Sequence, residues 1–310
     1  MPALASVLLL ALTLGPSYEP SPAPREGSEG SEAGAPSRGE LADLRAQVAA
    51  ASASDPGYAD LLLRLAARLS DGSRRKEALA DGLGAEASAE ALRLAQEASS
   101  MRAEAAELYA ALLRAPNFNA LPRADEALFE LAALRLASGD PEGMRALLLR
   151  LVRDFPRSPR IPGAYLVFGD HYFSAGDMAV AERFYAKVAS FPQASERPYA
   201  LFKLAWVRRN GGDAAGALEH LVRVLGDPAT EANLRRVARR DVIGVYVEVG
   251  KPGRAAAFFR RISADPATGQ HYEAEMLGGL RQAYLDAGRD ADAAAIRDAL
   301  AEAERRLSGR

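Results

Sequence analysis

Three histidines, a run of four arginines and a single tryptophan are the residues of this 310-residue chain with the greatest capacity for chemistry. His171, His220 and His271 are far apart, and none sits in a ligand motif such as His-Glu-x-x-His, so each reads as an ordinary helix residue and not as a metal ligand. His171 and His220 retain the capacity to tune an interface with pH. There is no cysteine, which removes thiolate nucleophiles, Cys-ligated zinc, disulfides and lipid attachment through an N-terminal Cys. Gly82-Leu83-Gly84 matches the start of a dinucleotide loop, but Ala87 replaces the third glycine and no strand precedes it. No phosphate loop ending in Lys-Ser or Lys-Thr is present, and no nucleophile elbow. With nothing to supply nucleophile, base and orienter together, the expectation is a chain that is not an enzyme and has no cofactor and no metal site.

Arg235, Arg236, Arg239 and Arg240 (RRVARR) fall at helical spacing and predict one basic patch, fit for an acidic partner or a phosphate backbone. The alternative is a solvated face paired with nearby carboxylates. Net charge is −2, from 39 basic and 41 acidic residues, and no aromatic residues interleave the run, so no nucleic-acid partner is expected.

The elements that must position these residues read as helices. Ala, Leu and Arg dominate, and β-branched and aromatic residues are sparse. Helical periodicity begins with Leu41, Leu44 and Val48 and continues through Leu61, Leu62, Leu65 and Leu69. Before it, Ala3 to Leu14 is an apolar run followed by Gly15, Pro16 and Ser17, too short to span a bilayer but fitting a secretory signal over residues 1–17. No Lys or Arg precedes the run, which speaks against that reading. Residues 18–39, rich in Pro, Ser, Gly and Glu, lack the apolar bulk to offset ordering entropy and read as a flexible tether.

Self-similarity is the strongest signal. Gly139, Gly176, Gly212, Gly250 and Gly288 recur at intervals of 37, 36, 38 and 38 residues. Pro156, Pro192, Pro228 and Pro266 keep the same phase. Each unit then holds a helix, a left-handed glycine turn, a second helix opened by the following Asp, Lys or Arg, and a proline stop. The pattern resembles the tetratricopeptide repeat, whose consensus implies a small residue seven before the turn glycine, an aromatic four before it, and another small residue five after it. Gly169, Tyr172 and Ala181 comply around Gly176, with Tyr165 and Tyr185 in phase. Leu204, Ala205, Ala217 and Leu221 fit around Gly212, where Arg208 replaces the aromatic. Tyr246, Ala255 and Phe259 fit around Gly250, and Tyr284, Ala293 and Ile296 around Gly288, with Ile243 and Arg281 departing at the small position. Ala132 fits before Gly139, with Met144 departing after it. Leu65-Ala66 with Gly72, and Leu108-Tyr109 with Pro116, read as one unit stretched by an insertion, whose helix from about Glu86 to Leu113 is the least regular piece.

This pattern resembles the tetratricopeptide repeat (TPR), and the resemblance implies an all-α, right-handed α-solenoid of about six helix-turn-helix units. An expanded first unit occupies residues 40–120 and the solenoid proper residues 121–306, its last unit acting as a cap. From Tyr58 to Leu225 the chain is similar to TPR proteins of the Gram-negative envelope, on Tyr165, Gly169, Ala200, Leu201, Lys203, Ala205 and Trp206. These include myxobacterial gliding-motility components and, more distantly, the Tol-associated periplasmic coordinator and the TPR lipoprotein of outer-membrane assembly. Where such relatives are lipoproteins, this chain departs by lacking Cys.

The resemblance implies a protein partner from an envelope complex, held in a concave groove by the first helix of each unit. Leu166, Asp170, Phe173, Tyr199, Phe202, Trp206, Arg209 and Asn210 are the expected groove residues. The competing reading packs Phe202 and Trp206 against the neighbouring helix pair. Placement in the periplasm, with no direct membrane span, follows if the N-terminal run is a signal. A cytoplasmic adaptor is the alternative, and a nucleic-acid-binding helical repeat a further one.

Overall fold

The computed structural model describes residues 38–55, 57–83 and 88–308. The candidate signal and nearly all of the tether lie outside the described residues. Fourteen α-helices follow in order: α1 (Arg38–Ala50), α2 (Tyr58–Asp81), α3 (Ser88–Leu113), α4 (Ala124–Ala137), α5 (Pro141–Asp154), α6 (Ile161–Ser174) and α7 (Met178–Ala189). They continue with α8 (Arg197–Asn210), α9 (Ala214–Gly226), α10 (Ala232–Val249), α11 (Pro252–Ile262), α12 (Glu273–Asp286), α13 (Asp290–Ala295) and α14 (Arg297–Ser308). Extended pairing among the described residues is confined to an isolated bridge, Ala264 with His271. The protein is an all-α solenoid of six helical hairpins, α2/α3 to α12/α13–α14.

Four of the five punctuating glycines do what their spacing predicts. Gly139, Gly176, Gly212 and Gly288 have φ of 77°, 82°, 83° and 67°. At each, the next residue's amide reaches back five positions, as from Asp213 to the Arg208 carbonyl at 2.9 Å, closing the first helix with a left-handed cap. Asp140, Asp177 and Asp213 then cap the second helix, accepting from the amides of Gly143, Val180 and Gly216 at 2.8, 3.1 and 2.8 Å.

Gly250 is different. Its φ is −77° and ψ 156°. Pro252 opens α11, and a residue before proline is driven to extended backbone, which is where Lys251 lies at φ −102° and ψ 124°. The requirement for glycine here is space: a Cβ would stand 2.3 Å from the Tyr246 ring, whose hydroxyl donates to the Lys251 carbonyl at 3.0 Å. With Ile243 at the position that Ala132, Gly169 and Ala205 fill in their units, the backbones of α10 and α11 do not close along their length as in the other hairpins. Tyr246, Phe258 and Phe259 pack into that space with centroids 4.8 to 5.1 Å apart.

Gly72 is corrected as a turn marker: it is buried inside α2, which runs 24 residues, about 36 Å at helical rise. The expanded first hairpin is therefore a lengthening of both helices, joined along the extension by Lys76–Glu97 and Arg102–Glu77 ion pairs.

The small positions let the helices of a pair approach. Ala132, Ala181, Ala205, Ala217 and Ala255 are buried, and a Cβ on Gly169 would come within 2.6 Å of the Tyr185 ring. The core is shared between hairpins. One cluster runs from Leu41 to Phe168 and the next from Leu166 to Ala303, and they meet inside α6.

Two glycine substitutions separate the two kinds of turn. Gly212→Ala should cost about 1–2 kcal/mol, through left-handed strain alone. Gly250→Ala should cost about 1–3 kcal/mol, most of it recovered in a Tyr246→Leu background, because the penalty is a ring clash. Urea unfolding of the four variants in a double-mutant cycle measures this.

Candidate partner-binding face

The first helices of successive hairpins meet in a repeated register. Six residues before its turn glycine, α6 presents Asp170, which meets Lys203, nine before the turn glycine of α8, at 3.8 Å. One unit on, Trp206 takes the place of Asp170 and Asp241 of α10 the place of Lys203. Both line a small depression with Ala205, Arg209, Leu221 and Val245.

The Asp170–Lys203 contact is built into the core. The Lys203 side chain is 6% exposed, and its ammonium lies 4.3 Å from the Phe173 ring centroid and 5.5 Å from that of Tyr199. Tyr185 donates to Asp170 Oδ1 at 2.6 Å. Burial pushes the Asp170 carboxyl up, opposed by the Tyr185 hydrogen bond and the Lys203 charge. Burial pushes Lys203 down, opposed by Asp170.

The structure divides the residues expected in the groove. Leu166, Tyr199 and Phe202 are corrected: all three are buried, Phe202 completely, because α8 is enclosed by α7, α9 and the flanking first helices. For Phe202 the packing reading holds. Asp170, Phe173, Trp206 and Arg209 are half-buried and Asn210 exposed. Trp206 sits edge-on to Phe202 with centroids 6.5 Å apart. Arg209 reaches Glu248 of α10 at 3.0 and 2.5 Å.

The single basic patch is corrected too. Helical spacing puts Arg235 and Arg239 on one side of α10 and Arg236 and Arg240 on another, and the chain between α11 and α12 folds over the first pair. Arg235 donates to Asp265 Oδ1 at 3.0 Å and to the carbonyls of Asp227 and Pro228 at 3.0 and 3.4 Å. Arg239 lies 3.6 Å from Asp265 Oδ2 and 3.7 Å over the Tyr272 ring. Arg236 and Arg240 stay exposed beside Asn233 and Asp241. Against the cost of burial, the Asp265 carboxyl is held below the usual range by the Ala267 and Thr268 amides and by both guanidiniums.

The histidines remain apart. His171 is edge-on to Tyr172, His271 is exposed in the isolated bridge, and His220 is half-buried, its pKa lowered by burial and then by Arg223 and Arg208. Among the described residues no three His, Cys, Asp or Glu are grouped to hold a metal ion, and no helix is long and apolar enough to cross a membrane.

A tetratricopeptide repeat family model matches residues 126–158 and 199–227, the hairpins α4/α5 and α8/α9. Repeats of this type indicate a protein–protein interaction scaffold, and the fold is typically non-catalytic. No curated protein matches the chain. Among solved structures, the crystal structure of BtubC (BKLC) from P. vanneervenii is similar at 17% identity, covering 68% of this chain and 91% of that chain with a TM-score of 0.42.

Asp265→Ala should destabilise the fold by about 3–5 kcal/mol, because it leaves two buried guanidiniums without their carboxylate. Arg236→Ala and Arg240→Ala should each stay within about 0.5 kcal/mol. Since the Asp265 pKa is depressed in the folded state, its contribution is present above the ordinary carboxylate range. It should be lost as pH falls below about 4. Chemical denaturation of the native chain and of Asp265→Ala from pH 7 to 3 checks this: the gap between them must narrow on acidification.

Proposed function

We propose that this chain is an exported, non-catalytic scaffold of a bacterial envelope complex, which captures a peptide or helix of a partner protein along the face made by α6, α8 and α10. The observation that carries the reading is Trp206. It is a half-buried tryptophan with Arg209 and Asn210 one turn on, aligned with Asp170 and Phe173 of the preceding first helix. A large rigid ring beside a guanidinium is the residue pair on which binding energy concentrates, since it buries area at little entropic cost. The partly wet Asp170 carboxylate and the Arg209–Glu248 pair add a polar rim that selects among partners. The N-terminal apolar run supports export, and the residues from Tyr18 onward suit a tether that lets the array search around its attachment.

A cytoplasmic adaptor is the second reading. Mass spectrometry of the chain from its native host separates the two: a mature start near Tyr18 supports export, and an intact Met1 contradicts it.

The groove reading is tested by capture from envelope fractions on the immobilised chain. Trp206→Ala with Arg209→Ala should weaken capture by about tenfold or more while the circular dichroism spectrum stays helical. Arg236→Ala, away from this face, should leave it unchanged. Undiminished capture by the double variant defeats the assignment.

A further inference from the structure

Cations recur in one register on the second helices. Eleven residues after their turn glycines stand Arg150 on α5, Lys187 on α7, Arg223 on α9 and Arg261 on α11, the first half-buried and the other three exposed. The last turn of a helix favours a cation, which accounts for the residue type at Lys187, Arg223 and Arg261. It does not account for the missing counter-charge. Asp227 and Asp265 follow Arg223 and Arg261 by four residues, within reach for an ion pair, but Asp227 is held by Arg197 and Asp265 by Arg235 and Arg239. On the same helices Glu182 is held by Arg208 at 2.5 Å, and the exposed Glu219 makes no ion pair with Arg223. Among the described residues Lys187, Arg223 and Arg261 therefore stand in no ion pair, and neither do the exposed Arg183 and Arg254, one and two turns before Lys187 and Arg261. Arg150 has only Asp154, at 3.4 Å, which Arg153 holds more closely at 2.6 Å.

We propose that this ladder of cations is a second docking surface, which receives an acidic segment of a partner protein whose Glu and Asp side chains pair with Lys187, Arg223 and Arg261. It goes beyond the groove reading, lies on the second helices instead of the first, and does not depend on that reading. Charge complementarity sets the sign of the occupant. Aromatic rings fix where its charges must fall: Arg150 lies 4.8 Å from the Phe118 centroid, Lys187 6.0 Å from those of Tyr165 and Phe191, and Arg261 5.8 Å from that of Phe258. Tyr165, Phe191 and Phe258 are half-buried beside these cations, so the surface offers apolar ground between charges and suits a peptide that mixes acidic with apolar side chains. A single strand of nucleic acid would need open ring faces for its bases, and these faces are shared with the cations. A lipid surface selects a dense basic cluster, whereas here each rung is parted from the next by a hairpin.

The probe is a fluorescein-labelled peptide, Glu-Ala-Glu-Leu-Glu-Ala-Glu-Leu-Glu, titrated with the full chain and followed by fluorescence anisotropy beside the same peptide with Gln for every Glu. The Glu peptide should bind saturably and the Gln peptide at least about tenfold more weakly. Lys187→Gln, Arg223→Gln and Arg261→Gln together should weaken the Glu peptide by about tenfold or more, with an unchanged circular dichroism spectrum. Arg236→Gln, Arg281→Gln and Arg305→Gln remove the same charge elsewhere and should leave binding within about twofold. Equal binding of the two peptides, undiminished binding by the ladder variant, or an equal loss in the control variant each overturns the inference. Carbodiimide cross-linking of the Glu peptide to the native chain decides even if the ladder variant fails to fold: Lys187 should be marked, and its absence among the cross-linked lysines overturns the inference. Phosphatidylglycerol vesicles form the parallel arm. If they bind through the same three residues and the peptide does not bind, the surface faces lipid and the inference fails. Trp206→Ala with Arg209→Ala should leave the Glu peptide within about twofold, so the groove and the ladder stand or fall separately.

Discussion

No hairpin in this chain can close a core by itself. Two helices of about 14 residues present an apolar face on each side of the pair, and only a neighbouring pair can cover the second one. The buried residues bear this out: Leu166 on α6 belongs to the same cluster as Tyr199 and Phe202 on α8, and Phe168, two residues on and across the same helix, belongs to the cluster that precedes it. Everything else follows from stacking. The small residues at Gly169, Ala205 and Ala217 allow close approach within a pair, and the left-handed glycines fix the angle at which one helix returns along the other.

Stacking also creates the candidate site. When first helices lie side by side, the residue six before one turn falls opposite the residue nine before the next. Where both are charged, as in Asp170 and Lys203, the seam is satisfied internally. Where one is an indole and the other a carboxylate, as in Trp206 and Asp241, the two side chains meet across the seam beside a small depression. At the following joint Gly244 and Gly279 hold the corresponding places, and the register carries no charge there at all.

The repeat was legible in the sequence because its marks are local. A glycine that must be left-handed, the aspartate that caps the next helix and the proline that stops it are each chosen by backbone chemistry within a few residues. Gly250 shows the limit: the same letter in the same phase serves a different need, because its backbone is extended and the Tyr246 ring leaves no room for a Cβ. Gly72 shows another, since a glycine inside a long helix carries no local sign of its setting. The site was less legible. Helical spacing placed Arg235, Arg236, Arg239 and Arg240 on one surface, but it could not foresee that residues 263–272 would fold over two of them and supply Asp265. Burial of Phe202 and the role of Asp241 both depend on which neighbouring helix stands opposite. The one available signal for Asp241 was its register nine before a turn glycine, facing Trp206 six before the last.

The central claim is that a partner covers the first helices of this stack. Hydrogen-exchange mass spectrometry, comparing the free chain with its complex with a partner recovered from envelope fractions, addresses it directly. The account predicts added protection in α6, α8 and α10, with α7, α9 and α11 unchanged. Protection confined to the second helices, or to the α2/α3 hairpin, would contradict it.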